Sequence, residues 1–290
     1  MKSKNYLLTF ALVASSIVST YFVTTSTVAQ QATAEQTKKI TADNEYQVAS
    51  ILFMQKAAEY RALSYQAFNL ARMQLDADFE KRNLKSLPKA ERKRERAVVV
   101  DVDETVLDNS PHQAFIVINQ LPFTPDVWTQ WVNRRKAKAI PGAAEFLTYA
   151  SRKGVKVFYV TNRDEIHRQA TIDNLKQTGF PDASDETLMT RATESGKEAR
   201  RQKIMEKYRI VLLMGDNLND LSNVFERKSV ADRFAEVDKT RELFGKKFIV
   251  LPNAMYGDWE SAIYEYQRLT EAQKTQKRNT SLESFQLKIP

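Results

Sequence analysis

A run of small apolar residues that is followed directly by aspartate constrains the possible fold of this chain more than any other feature. Residues 97–100 (AVVV) are followed at once by Asp101, and Asp103 comes two residues later. Such runs are typical of strands covered on both faces of a parallel sheet, where ligands bind just outside the carboxyl ends of the strands. Side chains two residues apart point the same way in extended backbone, so the two carboxylates repel each other unless a cation or a proton lies between them. The run therefore predicts a buried strand with a polar site at its end.

Further apolar runs predict the rest of the sheet. They span residues 155–160, 210–214 and 247–251, and each is followed by polar residues. Helices are predicted between them, one ending at Gly154 and two more at residues 164–179 and 194–208. Alternating strands and helices are the pattern of a parallel sheet with right-handed crossovers. We therefore predict an α/β fold with a central, mainly parallel sheet flanked by helices.

Two longer segments stand outside this alternation. A helical amino-terminal part is predicted at about residues 45–85. Within it, residues 46–79 predict one long helix or two, because apolar residues recur at helical spacing with no glycine or proline between them. We interpret four side chains of this segment as packing residues: Met54, Tyr60, Tyr65 and Phe68. Residues 106–139 are too long for an ordinary loop and are rich in aromatic residues. Because they follow the acidic strand end directly, we expect them to form a small cap or substrate wall over it.

The first 29 residues predict an export signal. Lys2 and Lys4 supply a positive start, residues 6–23 are largely apolar, and small residues precede a cleavage position near Ala29. A retained membrane anchor is the alternative, although serine and threonine dilute the apolar run. Residues 30–44 are polar and predict a flexible tether. We therefore expect a periplasmic or secreted protein whose residues 45–290 form a single domain.

The composition limits the partners. The formal net charge of +8, which falls to +6 (42 minus 36) without Lys2 and Lys4, could attract anionic substrates, and a solvated surface with excess lysine is the alternative. No dense basic patch with interleaved aromatic residues indicates a nucleic-acid polymer. Cysteine is absent, which excludes a thiol nucleophile, a thiolate metal site and a lipid anchor on an N-terminal cysteine. We expect a small anionic substrate, no nucleic-acid polymer and no lipid anchor.

The aspartates at two strand ends are suited to phosphoryl transfer. Asp101 could attack as a nucleophile and become an acyl phosphate, and Asp103 could protonate the leaving group and later activate water. Asp216 and Asp220 lie on a glycine-containing turn after residues 210–214. Carboxylate oxygens with no histidine or cysteine nearby favour a hard cation, above all Mg²⁺.

Two further side chains could bind the phosphoryl group. Thr161 could donate a hydrogen bond to a phosphoryl oxygen, and Lys197 could neutralise both the phosphate and the Asp101 charge. Each element alone has a simpler explanation, since an aspartate after a strand often caps a turn and a lysine at a helix start is usually solvated. The order of all the elements along one chain favours the chemical interpretation.

Four short strings together resemble a known enzyme class. DVDET, VTNR, the lysine of SGKEARR and GDNLND resemble the four motifs of the haloacid dehalogenase (HAD) superfamily. More narrowly, they resemble the class C bacterial acid phosphatases with their four-aspartate signature. The resemblance continues through EYRALSYQAFNLA, DVDETVLDNSP, IPGAAEFL and LPNAMYGDWE. It implies a HAD-like Rossmannoid core with one Mg²⁺ per active site, and assembly as a homodimer.

The resemblance also implies a role for each aspartate. Asp101 matches the nucleophile and a metal ligand, and Asp103 matches the general acid and base, whose backbone carbonyl also binds the metal. Asp216 matches the remaining protein ligand, and Asp220 matches the acidic residue that supports the metal and its waters.

Further positions match the substrate-binding residues of that class. Thr161 and Lys197 match the phosphate-binding pair, and Trp128 and Tyr256 match an aromatic pair that flanks a nucleotide-like leaving group. For the two aromatic residues, packing in the core is the alternative. The other residues that we expect to bind substrate are Asn162 and Arg163. Many class C members carry a lipid on an N-terminal cysteine, and this chain departs from them in having none.

The resemblance thus implies an exported Mg²⁺-dependent acid phosphatase. We expect it to hydrolyse phosphomonoesters, nucleoside 5′-monophosphates and aryl phosphates among them, through an aspartyl-phosphate intermediate. A histidine phosphatase would need an RHG-type nucleophile, and His112 and His167 are the only histidines. The alternative from a different class is a non-catalytic HAD-fold binding or storage protein, although such a relative is expected to lack Asp101.

Overall fold

The structure of the protein is a computed structural model that describes residues 45–285, apart from residues 192 and 194. The predicted signal peptide (residues 1–29) and tether (residues 30–44) lie outside the described residues. Within residues 45–285, no described helix combines the length and the apolar character needed to cross a bilayer.

A parallel sheet lies at the centre of the described residues. The strands are β1 (Glu95–Val100), β2 (Leu107–Asp108), β3 (Lys138–Ala139), β4 (Lys156–Asp164), β5 (Leu188–Arg191), β6 (Tyr208–Gly215) and β7 (Phe248–Val250). Five of these described strands form the sheet, in the order β5-β4-β1-β6-β7. The AVVV run lies in β1 at the middle, and all four of its residues are buried, so both faces of the strand are covered. The predicted α/β fold is confirmed.

The edge strand β5 is not predicted from the sequence, which indicates only the other four strands of this sheet. Leu188 and Thr190 are buried while the residues between and after them are partly exposed. Four residues with one alternation of burial are too short a pattern to distinguish a strand from a loop. β4 is longer than predicted and continues through Thr161 to Asp164.

Helices surround the sheet. They are α1 (Val48–Lys56), α2 (Ala58–Phe79), α3 (Lys81–Ser86), α4 (Lys89–Arg92), α5 (Ser110–Ile118), α6 (Pro125–Arg134), α7 (Ala143–Arg152), α8 (Arg168–Gln177), α9 (Glu198–Lys207), α10 (Val230–Thr240), α11 (Asp258–Ile263) and α12 (Glu271–Thr280). The segment predicted as one long helix or two forms α1 and α2. The helices predicted at residues 164–179 and 194–208 correspond to the shorter α8 and α9.

The helix α2 packs against α7 through aromatic side chains. The ring centroids of Phe68 and Phe146 are 6.0 Å apart. Gly142, just before α7, has a φ of +88°, and a Cβ there would lie 3.2 Å from ring atoms of both Phe68 and Tyr65. Glycine therefore permits both the backbone turn and the close approach of the two helices. The Tyr65 ring packs beside Gly142, as predicted, although the residue is 37% exposed and its hydroxyl accepts a hydrogen bond from Arg61 on the helix surface.

The aromatic insert, residues 106–139, is closed at its base by β2 and β3. These strands pair antiparallel, Leu107 with Ala139 and Asp108 with Lys138, so the insert leaves and rejoins the fold at one point. Between them lie the helices α5 and α6. Pro125 begins α6, and Thr124 before it accepts a hydrogen bond from the Val127 amide as a helix cap.

Asp78 joins the end of α2 to the amino ends of two strands. Arg96 at the start of β1 donates to it at 2.7 Å, and Arg209 at the start of β6 donates to both oxygens at 2.7 and 2.6 Å. Burial opposes ionisation of this carboxyl, but the hydrogen bonds from the two arginines outweigh it and lower the pKa of Asp78. The cluster lies at the end of the strands opposite to Asp101 and Asp216.

We expect Asp78→Asn to lower the free energy of unfolding by about 2 kcal/mol at pH 7, because it leaves two half-buried guanidinium groups without their carboxylate. Because the pKa of Asp78 is lower in the folded state, its ionised form stabilises the fold at pH values above its pKa in the unfolded chain, about 4. This contribution is lost as the pH falls below that value. The difference between variant and wild type should therefore shrink below about pH 4. Urea unfolding at pH 7 and pH 3 measures both effects, and equal midpoints at pH 7 would contradict them.

Candidate active site

The carboxyl ends of β1, β4 and β6 meet the start of α9 at one edge of the sheet. Asp101 follows β1, and its amide donates to the Met214 carbonyl of β6 at 3.0 Å, which continues the strand ladder. Thr161 lies in β4, Asp216 directly follows β6, and Lys197 precedes α9. The sheet topology thus brings together residues that are far apart in sequence, as expected at the carboxyl ends of parallel strands.

Three aspartates form a compact acidic cluster. Asp101, Asp216 and Asp220 each place a carboxylate oxygen within 4.8 Å of the others. Burial raises the pKa of Asp101 well above its ordinary value, although the Lys197 charge opposes that shift. Burial and the charge of Asp220 raise the pKa of Asp216 to about 7. Both pKa values are raised because ionised carboxylates are unfavourable when they lie close together and away from water.

Lys197 is the cationic member of this cluster. Its ammonium forms ion pairs with Asp101 and, at 2.6 Å, with Asp220 Oδ1. The side chain is buried, which disfavours a charged lysine, but the two carboxylates outweigh burial and raise the pKa of Lys197. Three carboxylates and one ammonium leave an excess of negative charge. The atoms that could coordinate a metal ion are all carboxylate oxygens. The cluster therefore fits a hard divalent cation.

The carboxylate of Asp216 is fixed by two residues to which sequence reasoning gave no role. Thr105 Oγ1 donates to Oδ1 at 3.1 Å, and Asn253 Nδ2 donates to Oδ2 at 2.8 Å. The Thr105 hydroxyl also accepts from the Asp216 amide at 3.0 Å. Thr105 belongs to the DVDET string and Asn253 follows β7, so both lie at the strand ends where polar residues were already expected.

Asp220 packs directly against Gly215 in the turn after β6. The Asn217 amide donates to Asp220 Oδ2 at 3.0 Å, which holds the carboxylate back toward the strand. A Cβ at Gly215 would lie 2.3 Å from Asp220 Cβ and 2.4 Å from Oδ2. The glycine of GDNLND is therefore required by the close approach of Asp220 to the strand.

The Asp103 side chain lies outside the acidic cluster. Arg163 donates to its Oδ1 from Nη2 at 2.8 Å and from Nε at 3.0 Å, and Asn109 Nδ2 donates to the same oxygen at 2.8 Å. Thr161 Oγ1 donates to Oδ2 at 3.3 Å. The sequence argument required a cation or a proton between Asp101 and Asp103; in the structure each carboxylate has a cation of its own, Lys197 at Asp101 and Arg163 at Asp103.

The residues of the VTNR string point in alternate directions along β4. Thr161 and Arg163 are buried, while Asn162 is exposed and its Oδ1 accepts from Arg200 at 2.7 Å. Arg163 also donates to Thr171 Oγ1 at 3.0 Å. The structure therefore places Arg163 behind Asp103 and Asn162 against α9, whereas both were expected to bind substrate.

This arrangement agrees with comparisons to known proteins. The family described as HAD superfamily, subfamily IIIB (acid phosphatase), matches residues 10–259. The chain belongs to this family. The class C acid phosphatase from Bacillus anthracis is 40% identical with a TM-score of 0.77, over 84% of this chain and 99% of that one. The structure of that enzyme with tungstate bound matches with the same values. The expected resemblance to class C acid phosphatases is confirmed.

Two curated plant proteins are similar over a shorter region. Acid phosphatase 1 of Solanum lycopersicum is 33% identical over 130 residues, which cover 42% of this chain and 51% of that protein. A stem 31 kDa glycoprotein of Glycine max is 29% identical over 129 residues, with the same two coverages. The chain thus spans about half the length of the curated relatives that it matches.

One buried carboxyl of this HAD-family site was missed in the sequence. Glu104 is fully buried in a left-handed turn, with a φ of +57°. It accepts from the Asn109 amide at 2.7 Å and from the Tyr256 hydroxyl. Burial raises its pKa well above that of an ordinary glutamic acid. A non-glycine residue in a left-handed turn directly after a strand leaves no clear signal in one sequence.

The two predicted aromatic residues reach the DVDET and VTNR strings from different elements. The Trp128 ring in α6 lies 5.3 Å from the Arg163 guanidinium carbon, and the His112 ring packs edge-on against it at 5.1 Å. Tyr256, after β7, contacts Glu104 through its hydroxyl. Trp131 of the insert donates to Asn109 Oδ1 at 2.8 Å and so helps to orient a residue that binds Asp103.

Proposed function

We propose that this protein is a metal-dependent acid phosphatase that hydrolyses phosphomonoesters through an aspartyl phosphate on Asp101. The observation that carries the proposal is the cluster of buried Lys197, Asp101 and Asp220 with partly buried Asp216 at the carboxyl edge of the sheet. A nucleophilic carboxylate, a cation beside it and an oxygen-donor cluster are the groups that phosphoryl transfer requires.

The oxygen donors favour Mg²⁺ as the metal. Asp101 and Asp216 would hold it together with the backbone carbonyl of Asp103, and Asp220 would support its waters. When bound, the ion supplies positive charge that stabilises the phosphoryl oxygens in the transition state. Thr105 and Asn253 already hold both oxygens of Asp216, so that ligand is oriented by the protein itself.

The protein residues divide the chemistry between them. A carboxylate oxygen of Asp101 attacks phosphorus, the ester P–O bond breaks, and Asp103 gives its proton to the departing oxygen. Asp103 then takes a proton from water, which attacks the phosphorus of the aspartyl phosphate and releases inorganic phosphate and free Asp101. Lys197 balances the charge on Asp101 and on the phosphoryl group. The Thr161 hydroxyl, which donates to Asp103 Oδ2 at 3.3 Å in the structure, turns to donate to a phosphoryl oxygen when substrate is bound.

The two oxygens of Asp103 differ in the hydrogen bonds that they accept. Oδ1 accepts bonds of 2.8 to 3.0 Å from Arg163 and Asn109. Oδ2 accepts only longer contacts of 3.3 Å, from Thr161 and from Arg163. We assign the transferred proton to Oδ2, because Oδ1 is already occupied by stronger donors.

A metal-removal assay tests the proposed activity. The purified protein should hydrolyse an aryl phosphate at acidic pH, lose turnover in EDTA and regain it when Mg²⁺ is added in excess. Restoration by Mg²⁺ but not by Ca²⁺ would support the smaller cation. If phosphate binds to the protein but no phosphomonoester is turned over with any divalent metal, the non-catalytic HAD-fold protein is the correct reading.

Nucleoside 5′-monophosphates and aryl phosphates are the proposed substrates, with Trp128 as the aromatic wall for the leaving group. We expect Trp128→Ala to raise the KM for a nucleoside monophosphate by about tenfold or more, because stacking of a base on an aromatic ring contributes about 1–3 kcal/mol. The KM for a small alkyl phosphate should change much less.

Phe123→Ala is the matched control for this prediction. Phe123 belongs to the same insert, and its ring packs 6.4 Å from Trp128, but it is 60% exposed. Steady-state kinetics on both substrates should show a selective effect for Trp128→Ala alone. Equal losses on the two substrates would mean that Trp128 has only a packing role.

We also propose export and assembly as a homodimer without a lipid anchor. The charged start and apolar stretch of residues 1–29 support export, and cleavage near Ala29 is tested by N-terminal sequencing of protein recovered from the periplasm or medium. The homodimer rests on resemblance to class C enzymes, and sedimentation of the purified protein tests it. A monomer at working concentration would contradict that part of the proposal.

A further inference from the structure

Two consecutive arginines of α9, Arg200 and Arg201, reach opposite sides of the candidate site. They lie one turn after Lys197, whose carbonyl accepts the Arg201 amide at 3.0 Å. Successive side chains of a helix point about 100° apart, so adjacent arginines can reach two different loops. Neither residue was assigned a role from the sequence.

Arg200 binds the end of β4 to the loop that carries Lys197. Its Nη1 donates to the Thr161 carbonyl at 2.6 Å, and its Nη2 donates to Asn162 Oδ1 at 2.7 Å. Nη2 also donates to the Gly196 carbonyl at 3.2 Å and the Ser195 carbonyl at 3.3 Å. One guanidinium thus fixes the distance between the backbone of Thr161 and the residues just before Lys197.

Arg201 binds the other side of α9 to the turn that carries Asp220. Its Nη1 donates to the carbonyl oxygens of Asn219 at 3.0 Å and of Asp220 at 2.9 Å. Its Nη2 and Nε donate to Glu198 Oε2 at 2.7 and 3.2 Å, so a carboxylate on the same helix orients the guanidinium. Arg201 is only 2% exposed, and without it two carbonyl groups would lose a buried donor.

We propose that Arg200 and Arg201 are positioning residues that hold Lys197 at a fixed place between Thr161 and Asp220. This inference rests on the proposed function, since it concerns the phosphate-binding pair and the metal-supporting carboxylate. Arg200 sets the spacing of Thr161 and Lys197, and so acts on phosphate affinity. Arg201 sets the position of the Asp220 backbone, and so acts on metal affinity.

Lysine cannot replace either arginine. A guanidinium presents five N–H donors in a rigid plane, and each arginine uses that plane to bind groups in two segments of chain at once. A lysine ammonium has all its N–H donors on one nitrogen atom, so it cannot reach acceptors in both segments at once. The Arg→Lys variants therefore keep the charge and remove only the bridging geometry.

The test measures two binding equilibria that do not depend on turnover. Metal affinity is the Mg²⁺ concentration that gives half of the maximal increase in Tm, and phosphate affinity is the calorimetric Kd for inorganic phosphate at saturating Mg²⁺. We expect Arg201→Lys to raise the Mg²⁺ midpoint by about tenfold, the scale seen when residues behind metal ligands are changed. We expect Arg200→Lys to raise the phosphate Kd by about tenfold while the Mg²⁺ midpoint stays within about threefold of wild type.

Arg209→Lys is the matched control. Arg209 also forms an ion pair and is partly buried, but it contacts Asp78 at the opposite end of the sheet. This variant should lower the Tm of the metal-free protein without changing either affinity. If Arg201→Lys does not fold, Glu198→Ala leaves Arg201 in place and removes the carboxylate that orients it, together with an exposed 3.3 Å contact from Gln202. An unchanged Mg²⁺ midpoint in that variant overturns the proposal.

The outcomes separate this proposal from the proposed function. Wild-type affinities in both arginine variants, or equal losses of both affinities in both variants, overturn the positioning role. A wild-type protein that binds Mg²⁺ and phosphate but hydrolyses no phosphomonoester overturns the proposed function alone, and the two affinities still test the arginines.

Discussion

Asp101→Asn should reduce kcat for an aryl phosphate by about 10⁴-fold or more, the scale on which loss of a nucleophile acts. An amide does not form an acyl phosphate, so the variant cannot enter the covalent pathway. Phosphate and Mg²⁺ should still bind, because Asp216, Asp220 and Lys197 remain and Thr105 still holds Asp216.

The Asp101→Asn measurement needs both a kinetic and a binding readout. Turnover is measured by product release at saturating Mg²⁺, and phosphate binding is measured by calorimetry on the same sample. Asp78→Asn is the control, since it changes an aspartate of the same fold far from the site and should retain the wild-type kcat. Residual activity of Asp101→Asn within tenfold of wild type would contradict nucleophilic catalysis by this residue.

After Asp101→Asn, Gly215→Ala is expected to cause the largest loss of activity. The new Cβ would lie 2.3 Å from Asp220 Cβ, 2.7 Å from Cγ and 2.4 Å from Oδ2, all far inside contact distance. Asp220 must therefore move, which breaks its 2.6 Å ion pair with Lys197 and its 3.0 Å bond from the Asn217 amide. We expect kcat/KM to fall by about 100-fold, because displacements of about 1 Å in an active site act on that scale.

Gly196→Ala is the matched control for Gly215→Ala. Gly196 directly precedes Lys197, and the atoms nearest to an added Cβ there belong to the carboxylate end of Glu226, at 3.2 Å for Oε1. That group is the far end of a flexible side chain, so it can shift at little cost. Steady-state kinetics and the Mg²⁺ midpoint should both change for Gly215→Ala and stay within about threefold of wild type for Gly196→Ala. A Gly215→Ala protein with wild-type values in both measurements would show that Asp220 has no role in the site.

The central strands and the acidic cluster could be predicted from the sequence, because short apolar runs that end in an aspartate are compatible with few local structures. Four buried residues that end in Asp101 must form a covered strand, and Asp216 follows a second strand of the same kind. Parallel strands place their carboxyl ends at one edge, so the meeting of Asp101 with Asp216 follows from topology alone.

The remaining features depend on contacts that one sequence does not contain. The edge strand β5 has four residues and little periodicity. Arg163 was expected to bind substrate, but the direction of its side chain depends on contacts with Asp103 and with two insert residues, Asn109 and Trp128. Glu104 was missed because its burial depends on Tyr256, which lies 152 residues away in sequence.

The nature of the phosphorylated residue tests the central claim most directly. Asp103→Asn should form the aspartyl phosphate from a good leaving group such as an aryl phosphate, and hydrolyse it slowly, because the base that activates water is missing. Acid quenching within the first turnover, borohydride reduction of the acyl phosphate and peptide mass spectrometry should then locate the modification at Asp101. A phosphoryl group on His112 or His167, or full product release by wild type with no residue modified during the first turnover, would contradict the account.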